Sequence, residues 1–120
     1  MNIDSYLKGL FDIVSCKLKP SYLEIETYQE DECFYFQKDL VEEKNNLEDI
    51  LKVMINDQDM IDTIIYLLEK KLSKYKKIYT INNEKILEKI CKMLPFYYLE
   101  EVYVIEYDNL YLCLYLGNNE

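Results

Sequence analysis

Asp57, Asp59 and Asp62 put three carboxylates within six residues, the spacing in this chain that comes nearest to an oxygen-ligated cation loop. A calcium-binding loop also needs a glycine at its sixth position and a closing glutamate, and both are missing here. Capping of a helix, with negative charge favoured in its first turn, accounts for the three residues without a metal. A second group, Glu24, Glu26, Glu30, Asp31 and Glu32, is followed by Asp39, Glu42 and Glu43. Paired carboxylates perform acid–base chemistry when burial shifts one of them. These fall on a turn and on a capping pattern, so Glu30, Asp31 and Glu32 read as a solvated acidic edge that discourages strand aggregation. The cysteines, Cys16, Cys33, Cys91 and Cys113, form no C-x-x-C pair and read as reduced thiols in a cytoplasmic protein. The chain has no histidine, which removes the imidazole base and ligand, and no arginine, which removes the bidentate phosphate fork. The only glycines are Gly9 and Gly117, too few for a phosphate-cradling loop. No catalytic, cofactor-binding or metal-ligating residue is therefore assigned, and a non-enzymatic role is expected.

Two patterns bear on binding. Lys70, Lys71, Lys74, Lys76 and Lys77 surround Tyr75, the kind of basic patch with an aromatic neighbour that reads nucleic acid. Charge is segregated along the chain: residues 1–62 carry a net −9, residues 63–92 a net +5 and residues 93–120 a net −5. The second pattern is the run from Tyr103 to Leu116, in which large residues alternate with large residues and both faces of a hairpin stay apolar. With a three-residue loop Asp108-Asn109-Leu110, one face would hold Val102, Val104, Leu112, Leu114 and Leu116. The other would hold Tyr103, Ile105, Tyr107, Tyr111, Cys113 and Tyr115. A two-residue loop mixes these sets. A ladder of four tyrosines offers apolar rings with wettable tips, and tyrosine is enriched where proteins meet.

The elements that must position these residues follow from periodicity. Residues 4–18 predict a helix with Tyr6, Leu7, Leu10, Phe11, Val14 and Leu18 on one stripe, ended by Pro20. Tyr22–Tyr28 alternates as a strand, Gln29–Glu32 turns, and Cys33–Phe36 predicts its returning partner. Asp39, with Glu42 three residues later, predicts a capping box and a second helix bearing Leu40, Leu47, Ile50, Leu51 and Met54. A third helix runs from Met60 to about Lys77, residues 78–82 connect, and a fourth helix carries Ile86, Leu87, Ile90 and Leu94 up to Pro95.

The expectation is a single α+β domain over residues 1–120, ordered α-β-β-α-α-α-β-β, with helices packed on antiparallel hairpins. Residues 4–37 and 83–117 resemble each other, so a duplicated helix–hairpin unit joining into one four-stranded sheet is one reading; coincidence in a low-diversity sequence is the other. The functional expectation is a protein–protein interaction module that binds itself as a homodimer, or a foreign partner, through Tyr103, Ile105, Tyr107, Tyr111, Cys113 and Tyr115. An acidic inhibitor or immunity-type protein of a phage or mobile element is one concrete form; the Ile-, Lys- and Asn-rich composition without alanine or arginine suggests AT-rich coding. The alternative is a winged-helix-like DNA-binding regulator using Lys70, Lys71, Lys74 and Lys77. Against it stands a wing region, 93–120, with five acids and no lysine. No membrane partner is expected.

Overall fold

In the computed structural model, which describes residues 3–15, 21–29, 34, 36–94 and 98–118, three helices begin where a side chain caps them. The Asn46 side chain accepts from the Asp49 amide and starts α2 (Leu47–Met54); Asp57 accepts from the Met60 amide and starts α3 (Gln58–Leu72). Asn83 accepts from the amides of Lys85 and Ile86 and starts α4 (Glu84–Met93). Each such cap satisfies amides the helix cannot pair internally, a contribution of about 1 kcal/mol. The first helix, α1 (Ile3–Ser15), buries Leu7 and Phe11, as its stripe predicts.

Five strands form one antiparallel sheet: β1 (Ser21–Gln29), β2 (Leu40–Glu42), β3 (Lys77–Ile81), β4 (Tyr98–Glu106) and β5 (Leu110–Asn118), in the spatial order β1-β5-β4-β3-β2. The α+β class and the antiparallel pairing agree with the sequence; the strand set does not. The predicted first hairpin is absent among the described residues. Phe34 and Phe36 lie in consecutive turns, with the Gln37 amide bonded to the Phe34 carbonyl, and β1 pairs instead with β5. The expected capping box at Asp39 is also replaced. Asp39 ends a short 3₁₀ turn and Glu42 belongs to β2, because Leu40, Val41 and Glu42 find ladder partners in Ile81, Thr80 and Tyr79. Residues 77–81, expected as a helix end and a connection, are β3. Their alternation sends Ile78 to one face and Ile81 to the other, and α3 stops at Leu72 to free them.

Both faces of the sheet are covered by the chain itself. Leu23, Ile25, Ile78, Ile105, Leu112 and Leu114 point to the face covered by α1, α2 and α3. Val102, Val104, Cys113 and Tyr115 point the other way, beneath Ile90 of α4 and beside Phe34 and Phe36. A register shift between Leu99 and Glu101 inserts one extra residue in β4, which returns Leu99 to this second face. The similar segments 4–37 and 83–117 thus send α1 and α4 to opposite sides of the sheet. Full burial of each large aliphatic side chain contributes about 1.5–3 kcal/mol, so β4 and β5, greasy on both sides, carry much of the core.

Candidate interaction surface

The turn of the last hairpin decides where its tyrosines go. It has two residues, Asp108 and Asn109: the Tyr107 amide bonds to the Leu110 carbonyl at 2.8 Å, and Glu106 pairs with Tyr111. The six residues expected on one face are therefore split. Tyr103, Ile105 and Tyr107 lie with Leu112 and Leu114 under α1–α3, whereas Tyr111, Cys113 and Tyr115 lie with Val102 and Val104 under α4. All but Tyr111 are buried, and Tyr111 is half-buried with its ring 5.5 Å edge-on from Phe34. The interface expected on this hairpin is thus replaced by the chain's own core: aromatic residues that fill a sheet covered on both sides are not available to a second molecule.

Burial governs the chemistry of these groups. The Tyr103 phenol, which donates to a Glu101 carboxylate oxygen at 3.3 Å, is pushed up to about 12, first by burial and then by the charge of Glu101. Burial likewise pushes Cys113 up to about 12, with a hydrogen bond to Tyr115 acting weakly the other way; such a thiol stays neutral and unreactive. Tyr115 and Tyr107 are held well above the ordinary phenol range, again by burial first. The Tyr107 hydroxyl is fully enclosed and has no hydrogen-bond partner among the described residues. Tyr79 donates to Glu106 at 2.8 Å and is pushed up to about 12 by burial and by that carboxylate.

The acidic edge at Glu30, Asp31 and Glu32 lies outside the described residues. Nearby on β1, Glu26 accepts from the Tyr28 hydroxyl at 2.7 Å, and burial, followed by the charge of Asp12, raises the Glu24 carboxyl. Among the described residues, no aspartate, glutamate or lysine is buried. Asp57 is the α3 cap; Asp59 and Asp62 stand exposed on the next turn.

The four lysines of the expected nucleic-acid patch do not act as a group. Lys70 lies 5.9 Å from the Tyr66 ring centre and Lys71 lies 4.9 Å from that of Tyr6, joining α3 to α1. Lys74 is exposed, and Lys77 sits on β3 paired with Glu42 at 3.9 Å, while the neighbouring Lys76 pairs with Asp108 at 3.5 Å. The lysines of α4 belong to the opposite side of the sheet. The winged-helix likeness fails on architecture: β3 intervenes between α3 and α4, and the final hairpin lies inside the sheet rather than projecting from it.

What the sequence reading missed is the outer face of α3. Ile61, Ile64 and Leu68 point inward, which turns Tyr66 directly away from the core, where it is 62% exposed. Around it stand Asp59, Asp62, Thr63, Glu69 and Lys70, all exposed. Among the described residues, none of these charges joins an ion pair within the chain; Asp62 accepts from the amide side chain of Gln58, at 2.9 Å. The available signal was helical periodicity: Tyr66 falls off the apolar stripe, at the position a surface helix gives to polar residues. No described helix is long and apolar enough to cross a membrane. Comparison with known proteins gives no match to a family model, to a curated protein or to a solved structure.

Proposed function

We propose that this chain is a non-enzymatic protein-binding module acting in the cytoplasm, with the outer face of α3 as its recognition surface. The exposed ring of Tyr66, held on a rigid helix and flanked by charges that form no ion pair among the described residues, carries the reading. Tyrosine at the centre of a polar ring is the composition of a binding hot spot: its apolar area is desolvated on contact while the charged rim excludes water. A helix anchored by three buried side chains presents such a residue with little ordering left to lose. An inhibitor or immunity-type role in a phage or mobile element is the concrete form this takes, supported by the acidity and the compositional bias.

The test is Tyr66→Ala. The side chain is exposed, so folding stability should change by no more than about 0.5 kcal/mol, and circular dichroism melting provides the control. Solution mass and the set of proteins captured by the tethered chain are then compared with wild type. Loss of association by the variant is the expected result; identical mass and an identical captured set would end the proposal.

A further inference from the structure

We draw no further inference here: the strongest candidate, the cavity of about 170 Å³ lined by Lys8, Ile25, Glu26 and Thr27 where α1 meets β1, carries nothing, because its charged side chains are exposed or half-exposed and no buried, unpartnered polar group among the described residues lines it to define a ligand.

Discussion

Replacing Tyr107 with Phe should make the protein more stable. The ring is 4% exposed and packs in the larger core with Leu110 and Leu112, and its hydroxyl is enclosed without a hydrogen-bond partner among the described residues. In the unfolded chain that hydroxyl is bonded to water, so folding forfeits the bond and recovers nothing. The penalty for such a group is about 1–3 kcal/mol. Phenylalanine keeps the ring and its contacts and leaves roughly 10 Å³ of void, which at about 24 cal/mol per Å³ costs about 0.2 kcal/mol. The net gain is therefore about 1–3 kcal/mol, equivalent to a rise in Tm of about 4 °C or more for a domain of this size. Urea unfolding followed by circular dichroism would measure it, with an unchanged m-value showing that the denatured state is unaltered. Tyr79→Phe is the internal control: there the hydroxyl does bond, to Glu106 at 2.8 Å, and its removal should cost up to about 1 kcal/mol. If Tyr107→Phe instead lost about 1 kcal/mol or more, the hydroxyl would have to be bonded in the folded protein and the reasoning would fail.

Two further outcomes follow from the same structure. Ser73 closes α3 at φ 69° and ψ −167°, a region that glycine alone enters freely; the strain is about 1–3 kcal/mol, and glycine's extra unfolded entropy returns about 0.5–1 kcal/mol of that. Ser73→Gly should thus raise stability by about 1 kcal/mol, read as a higher urea midpoint, and a lowered midpoint would contradict the strain. Alkaline pH should destabilise the fold: Tyr79, Tyr103 and Cys113 have folded-state values of about 12 against ordinary values of 10.0 and 9.0, so the folded chain holds protons that the unfolded chain releases. Their contribution is complete below about pH 9 and is lost progressively between about pH 9 and 12. Urea midpoints that stay level from about pH 8 to 11 would refute it.

The strong periodic signals were legible. The stripes of α1, α3 and α4, the alternation of β1 and the closing hairpin all appear where the sequence places them, because each buries a face against a core and local pattern suffices to show it. The errors lie where partners are far apart. Leu40–Glu42 is too short to announce itself, and its capping-like residues describe a helix start equally well; only pairing with β3 settles the choice. Lys77–Ile81 was hidden because a lysine-rich helix end runs into it. The hairpin turned on one residue of loop length. Two turn residues instead of three moved Tyr103 and Tyr107 away from Tyr111 and Tyr115, and no pattern within the strands records that difference. Tyr66 was visible as a residue off its stripe, but thirteen tyrosines in one chain give no single one prominence.

Because β1 lies against β5, residues 21–29 cannot complete their ladder until a segment 81 to 97 positions later has arrived. Two of the strands that floor the larger core, β4 and β5, follow α1, α2 and α3 in the chain, so those helices leave the ribosome before most of the apolar surface they settle on. A nascent chain of this kind must hold its greasy helices open until the last hairpin emerges and then fold abruptly around it, which makes it slow, cooperative and exposed to aggregation while it waits.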